Sequence, residues 1–362
     1  MKEGTVVKKN IHKSKVLKHP FLKKSIAAIF LAIVILLASA CKKDRIETLT
    51  YAVFPYLPDT NYYQELIESR WAELEPNIKL VRAKWDCYFD GNPEEIDIVM
   101  YDAVMRDTLL SSGWINPINK GDIQNKEDIV PFALEGFTVG DNLYGIPIFL
   151  CGNFLIYDRN SKALSDIEHI TDLSDKSEIL VVNIEDPMNR PQYVIEAIAD
   201  TLGDVNPSSE FNVDEIMNLL DHLAIDGHKK DDNEGVAMAY DAGIGDGYIG
   251  YSESISLLKN RFDQTRIKAI SFSDKENIPR LYSDAVAITS KVKGERYLKC
   301  LKLMNIMAES EILTSLSIKN NLPQCLLLAR KSPYKALKTK FPIYEELEKL
   351  ACNERNHVIL TP

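Results

Sequence analysis

Short apolar runs alternate along the chain with stretches whose apolar residues recur at helical spacing, and this alternation limits the fold more than any other feature. Leu49 to Val53 is a short apolar strand, and Tyr63, Leu66, Ile67, Trp71 and Leu74 then follow on one helical face. Ile78 to Val81 and Ile96 to Met100 read as further strands. The second is almost continuously apolar, as a strand covered on both faces should be. Leu180 to Val182 is another strand, Tyr193, Val194, Ala197, Ile198 and Leu202 mark an amphipathic helix, and Met217 to Leu223 mark a second. Ala285 to Ile288 returns to a strand. Helices interleaved with strands predict α/β layering with parallel-rich sheets. The chain has no repeat, no low-complexity tract and no long linker. Two lobes joined by strand crossings therefore fit better than two beads on a string.

The first forty residues carry eight lysines and one glutamate, and their apolar run, Ile26 to Ala38, is too short to span a bilayer comfortably. It matches the apolar region of a secretory signal. The run ends Leu37-Ala38-Ser39-Ala40-Cys41, small residues ahead of a cysteine as in a bacterial lipobox, with Ala38 in place of the usual leucine. Residues 1–40 are thus expected to be a lipoprotein signal peptide, Cys41 the lipidation site and 41–47 a tether. An uncleaved N-terminal anchor is the alternative. Both place the protein outside the cytoplasmic membrane, and the first leaves it touching the membrane only through its lipid.

Without residues 1–40, 35 basic residues face 52 acidic ones, a net charge of -17. So acidic a body is a poor candidate for nucleic-acid binding, where a basic face supplies most of the affinity. It would suit a small cationic ligand. The remaining length, roughly 320 residues, exceeds one typical hydrophobic core and makes two domains the default. Beyond Cys41 stand Cys87, Cys151, Cys300, Cys325 and Cys352, an odd number without paired spacing, so at least one thiol stays free. Cys300 and Cys352 fall on helical patterns and read as core. The six histidines are scattered without zinc-type spacing, and neither metal nor other cofactor is expected.

Residues Tyr144 to Leu164 read YGIPIFLCGNFLIYDRNSKAL. Tyr-Gly-Ile-Pro, an apolar run and then Phe-Leu-Ile-Tyr-Asp-Arg-Asn resembles the segment by which extracellular solute-binding proteins cross between lobes along the floor of the ligand cleft. This implies a two-lobed, periplasmic-binding-protein-like (type II) α/β fold. Crossings are expected near Pro147, Ala285 and Lys319. One lobe would hold 48–147 with about 286–319, the other 148–285 with about 320–362. Ligands in such folds sit at the carboxyl ends of strands, between the lobes. The candidate loops are Phe54 to Pro58, Trp85 to Tyr88, Tyr101-Asp102, Cys151 to Asn153, Gly250 to Ser254 and Leu281 to Asp284.

Each polar residue in these loops has an ordinary role beside a functional one. Cys151 lies on the expected floor, where a thiol is unnecessary for binding but is what a nucleophilic enzyme needs; otherwise it is a small buried hydrophobe. Asp102 ends a buried strand and would also serve as N-cap for Met105 to Leu110. Glu253 follows Tyr-Ile-Gly-Tyr-Ser and would otherwise be a first-turn glutamate favoured by the helix dipole. Asp284 precedes an apolar strand and would otherwise form a turn. Tyr56, Tyr88, Tyr251 and Tyr282 fall within two residues of these loops. Aromatics converging on a cleft suit a flat heteroaromatic ligand and a cation.

The words FPYLPD, AKWDCYF, IDIVMYDA, EDIVPFALEG, YGIPIFLCGN, IGYSES, LYSDAV and FPIYEEL, in this order, resemble bacterial thiaminase I (thiamine pyridinylase) from about Leu49 to Val358. The resemblance implies a binding-protein fold that became a transferase, exchanging the thiazolium of thiamine for pyridine, an aromatic amine or a thiol. Carried over by position, the family's nucleophile falls on Cys151 and its general base on Glu253. Its pyrimidine-holding aspartate falls on Asp284, and Asp102, Tyr56, Tyr88, Tyr251 and Tyr282 match further active-site positions. The chain departs at Phe54, where the family often has tyrosine, near Glu234, where another family tyrosine has no match, and at Pro362, where it ends early.

What the resemblance implies chemically divides labour among these residues. A thiolate adds to the electron-poor pyrimidine at a carbon next to a ring nitrogen, the thiazole leaves the bridging methylene, a new base takes its place, and the thiolate departs. A cysteine of ordinary pKa, about 8.5, is mostly thiol at neutral pH, so a base must take its proton. Glu253 would do so if burial raises its own pKa, and Asp284 would hold the ring nitrogen or amino group. Thiamine and the incoming nucleophile are the expected partners, and the chain is expected to act as a monomer. The rival reading is a non-enzymatic lipoprotein receptor that captures thiamine or a related cation for a transporter. A sugar-binding lipoprotein would explain the tyrosines but not the thiol.

Overall fold

The computed structural model describes residues 47–202, 213–272 and 280–360. The signal segment and Cys41 lie outside the described residues. In chain order the strands are β1 (Glu47–Ala52), β2 (Ile78–Arg82), β3 (Ile98–Asp102), the pair β4 (Thr138–Val139) and β5 (Asn142–Leu143), then β6 (Ile146–Cys151) and β7 (Phe154–Asp158). They continue with β8 (Leu180–Val181), β9 (Gly247–Gly250), β10 (Thr265–Lys268) and β11 (Arg280–Ile288). Last come the pair β12 (Ile318–Lys319) and β13 (Leu322–Pro323), then β14 (Leu327–Leu328) and β15 (His357–Val358).

Seven of these form the larger sheet, in the order β14-β6-β11-β3-β1-β2 with β15 beside β11; the smaller sheet runs β10-β7-β9-β8. Both sheets are mixed. β1 with β3, β11 with β15 and β8 with β9 are parallel. β11 runs against β3 and β6, and β7 against β9 and β10. The chain leaves the larger sheet for the smaller through only Gly152 and Asn153, between β6 and β7, and is back in the larger sheet by Arg280. One hydrophobic cluster surrounds the larger sheet and a second fills the smaller one around Leu155, Val182, Tyr193 and Leu220.

Two strands differ in extent from the sequence pattern, for physical reasons. β3 starts at Ile98, because the Asp97 carboxylate accepts from the Thr50 backbone N–H at 2.7 Å and pairs with the Arg296 guanidinium. β11 starts at Arg280 and not at Ala285, so the expected loop Leu281 to Asp284 lies inside a strand. Asp284 reads as a turn former by type, but Tyr282, Ser283 and Asp284 alternate across the sheet. Leu281 and Ser283 are buried on one face while Tyr282 is half-buried on the other.

The pairing of β11 with β6 contains an irregularity. Tyr282, Ser283 and Asp284 oppose Cys151, Leu150 and Phe149, whereas Ala285 and Val286 oppose Pro147 and Ile146. Ile148 is therefore an extra residue on β6, a β-bulge; its carbonyl accepts from the Ala329 N–H at 2.9 Å. All five described cysteines are free, with Cys87, Cys300 and Cys325 buried and Cys151 and Cys352 half-buried. No described helix is long and apolar enough to cross a membrane.

Candidate active site

Strand register assembles the site. On β11, Tyr282 and Asp284 are two residues apart and share a face. Cys151 on β6 is paired with Tyr282, and Asp102 on β3 is paired with Asp284. Residues directly opposite in an antiparallel pair lie on the same face with Cβ atoms about 4.5–5.5 Å apart. A thiol, a tyrosine and two carboxyls from three neighbouring strands thus meet at one end of the sheet.

Local hydrogen bonds orient each of these groups. Asp102 splits its carboxylate: one oxygen accepts from the Val104 N–H at 2.9 Å and caps the short helical turn Ala103–Met105, the other accepts from the Tyr88 hydroxyl at 2.6 Å. Cap and site residue are therefore the same side chain, with the capped turn slightly upstream of the expected one. Tyr88 packs edge-on against Phe54, which also meets Tyr56, and the Tyr56 hydroxyl donates to Asp86 at 2.8 Å. Phe54 keeps the ring contact without the hydroxyl that a tyrosine would bring. Glu253 sits in the 3-10 turn Ser252–Leu257 that follows β9. That turn is locked by the Ser254 hydroxyl, which donates to the Tyr251 carbonyl at 2.6 Å and shares a 2.8 Å bond with the Tyr248 hydroxyl. The Tyr251 hydroxyl donates to Gln192. The Tyr282 hydroxyl is buried with no hydrogen-bond partner among the described residues.

Burial dominates the electrostatics. Asp102 and Asp284 are only 5% and 7% exposed. Burial pushes Asp102 up to about 6 from 3.8, against the pull of the Tyr88 and Val104 bonds. Asp284 is pushed well above its usual range by burial and then by the neighbouring Asp102 and Glu253. Burial also raises Glu253, opposed by its own backbone N–H and the Ser252 hydroxyl. Glu253 does stand in the first turn, and it is half-buried there. Burial, and then Glu253, Asp284, Asp102 and Glu196, drive the Cys151 thiol well above its ordinary value. A thiolate here is costly until a cation arrives or a neighbouring acid takes up a proton.

Cys151, Glu253, Asp284, Asp102, Tyr88, Tyr251 and Tyr282 are all within electrostatic reach of one another's cluster. Tyr56, 51% exposed, belongs to the aromatic wall beside Asp102 and not to the buried cluster. Glu234 is exposed in the first turn of helix Asn233–Asp241. Sequence reading missed Gln192 and Glu196; their spacing of four with Asp200 on an otherwise amphipathic helix is the signal that could have revealed them. Among the described residues no three His, Cys, Asp or Glu are arranged to hold a metal ion. A separate cavity of about 270 Å³, bordered by Glu135, Arg280 and His357, contains none of the expected site residues.

No protein-family model matches the chain. Thiaminase-1 of Paenibacillus thiaminolyticus is 29% identical over 340 residues, 86% of this chain and 83% of that protein. The structure of T. maritima MalE3 with bound maltose is 13% identical with a TM-score of 0.64, covering 87% of this chain and 89% of that one, a likeness of fold alone. It places the chain among two-lobed, periplasmic-binding-protein-like α/β proteins. The structure of Clostridium botulinum thiaminase I in complex with thiamin is 30% identical with a TM-score of 0.79, covering 86% of this chain and 94% of that one. With that identity over nearly the whole of a thiaminase I, the chain belongs to the thiaminase I family.

Proposed function

We propose that the protein degrades thiamine by base exchange, with Cys151 as nucleophile and Glu253 as general base. The observation that carries this reading is the register pairing of Cys151 with Tyr282, two residues along β11 from Asp284, which pairs in turn with Asp102 on β3. Glu253 takes the thiol proton; the sulfur forms a bond to a pyrimidine carbon beside a ring nitrogen. The bond from the bridging methylene to the thiazolium nitrogen breaks, and its electron pair neutralises that nitrogen. An incoming base then bonds to the methylene, and the carbon–sulfur bond breaks to return the thiolate. With pyridine no proton is left over; with an amine or thiol one is released to a base. Asp284 and Asp102 hold the pyrimidine and favour the cationic substrate, and Tyr56, Tyr88, Tyr251 and Tyr282 frame its rings.

The reading extends to the whole chain. The two lobes would be the larger sheet, 47–151 with 280–360, and the smaller sheet, 154–272, acting as a monomer. β14 and β15 put the residues after 320 with the larger sheet and not, as expected from the sequence, with the smaller. The signal 1–40 exports the protein, and Cys41 anchors it by lipid outside the cytoplasmic membrane. Likeness to a maltose-binding protein supports a second reading, a receptor that binds thiamine without turning it over. Mass spectrometry after incubation with thiamine and aniline separates the two. The expected products are the anilinomethyl pyrimidine and free thiazole, absent with Cys151→Ser although that variant still binds thiamine. Intact thiamine after incubation with the unaltered protein would establish the receptor.

A further inference from the structure

The turn that carries Cys151 into the site is held by a helix that lies outside both sheets. Helix Arg190–Leu202 sets Gln192, Glu196 and Asp200 four residues apart, one stripe along the helix. Each member of the stripe grips a different part of the site's support. Gln192 accepts from the Tyr251 hydroxyl, and Asp200 accepts from the Phe272 N–H at 2.7 Å. Glu196, 4% exposed, accepts at one oxygen from both the Asn153 side-chain amide at 2.9 Å and the Asn153 backbone N–H at 3.4 Å. Asn153 is two residues beyond Cys151. Between them Gly152 is so closely packed that a Cβ there would lie 3.0 Å from Leu281 and 3.4 Å from the Phe154 ring.

We infer that Glu196 is a positioning residue for the nucleophile, fixing the Cys151-Gly152-Asn153 turn so that the sulfur stays aimed at the pyrimidine carbon. This rests on the reading of Cys151 as nucleophile. Three observations converge on it. The turn takes the chain from the larger sheet to the smaller one in two residues directly after Cys151, so any slip in it moves Cys151. Glu196 is the side chain that takes both amide groups of Asn153. Beside this clamp lies a cavity of about 20 Å³ bordered by Asn153, Glu196 and Leu281, which gives the turn somewhere to move once the clamp is lost. Burial and the neighbouring Asp200 favour the neutral acid form of Glu196, so a glutamine is a close mimic, keeping an oxygen where both bonds end.

The test compares Glu196→Met, which fills the space without an acceptor, with Glu196→Gln, which keeps one. A misplacement of about 1 Å can cost on the order of a hundredfold, so kcat of Glu196→Met should fall ten- to hundredfold while KM for thiamine changes by less than about threefold. Glu196→Gln should retain kcat within about threefold. Asn153→Ala should repeat the loss, and the double variant should lose no more than either single one, as expected for two halves of one contact. Should Glu196→Met fail to fold, Asn153→Ala against Glu196→Gln carries the same comparison. Asp200→Asn, on the same stripe, should leave kcat within about twofold. Normal kcat in Glu196→Met, additive losses in the double variant, equal losses in Gln and Met, or an equal loss in Asp200→Asn would each overturn the inference. Cys151→Ser, assayed alongside, tells which reading fails. If it is inactive while Glu196→Met is normal, only the positioning role falls; if it turns over normally, the nucleophile itself was wrong.

Discussion

Asp102→Asn should make the substrate-free protein more stable at pH 8 and leave its stability at pH 4 nearly unchanged. In the folded protein Asp102 titrates near 6, against 3.8 for the ordinary side chain. The raised value means that the folded state binds this proton more tightly than the unfolded chain. The stability it contributes is full below 3.8 and is lost as pH rises through about 6. Roughly two pH units correspond to about 3 kcal/mol, at about 1.36 kcal/mol per unit. Asparagine avoids that cost and keeps an oxygen for the Val104 N–H; the pull of the Tyr88 and Val104 bonds on the charged form is already contained in the value near 6. A gain of up to about 3 kcal/mol should raise the midpoint by several degrees. Thermal unfolding of both proteins from pH 4 to pH 8, followed by circular dichroism without thiamine, measures it. Parallel curves for the two proteins would refute the reasoning, since the variant should be flatter by the amount the parent loses. Added thiamine should stabilise the parent more than the variant, because the cation offsets the buried charge only where the charge exists.

Glu253→Gln should lower turnover about a hundredfold or more, the usual scale for a general base, with partial recovery at high pH in steady-state assays; a change confined to KM would make Glu253 a binding residue. Tyr282→Phe removes a buried hydroxyl with no partner among the described residues. The unliganded protein should be unchanged or about 1 kcal/mol more stable in urea unfolding, whereas a loss above about 1 kcal/mol would show that the hydroxyl is satisfied in solution. A 4-amino-6-chloropyrimidine should alkylate Cys151 with loss of chloride and spare Cys87, which is buried away from solvent. Peptide mapping that found the adduct on Cys87 instead would misplace the reactive carbon.

Much of this was legible from residue order because strand periodicity is a local property. β3 and β6 announce themselves as buried apolar runs, and the polar residues that end them, Asp102 and Cys151, stand out at their carboxyl ends. β11 was harder. Ser283 and Asp284 are turn formers by type, and only the neighbouring strands decide that they continue the alternation of Tyr282 across a sheet. Glu196 showed only as a spacing of four with Gln192 and Asp200, and its partner was hidden for a related reason. A carboxylate on an amphipathic helix normally faces water, and its partner, Asn153, lies forty-three positions away in sequence. The roles of Asp86 and Phe54 likewise depend on a loop folding back on a distant turn, which no short window of sequence contains.

The bulge at Ile148 decides which atoms of β6 the substrate can meet. In an uninterrupted ladder continuing the pairing of Val286 with Ile146, Tyr282 would oppose Leu150 and not Cys151. Successive strand residues point to opposite faces, so the thiol would stand on the far side, among the packing groups. One inserted residue therefore changes the parity of the strand beyond it. Leucine and cysteine at 150 and 151 compete for a single place in front of Tyr282, and counting settles the competition. A binding scaffold of this kind can thus turn a hidden sulfur into a reactive one by altering the length of a strand while every side chain at the site stays the same.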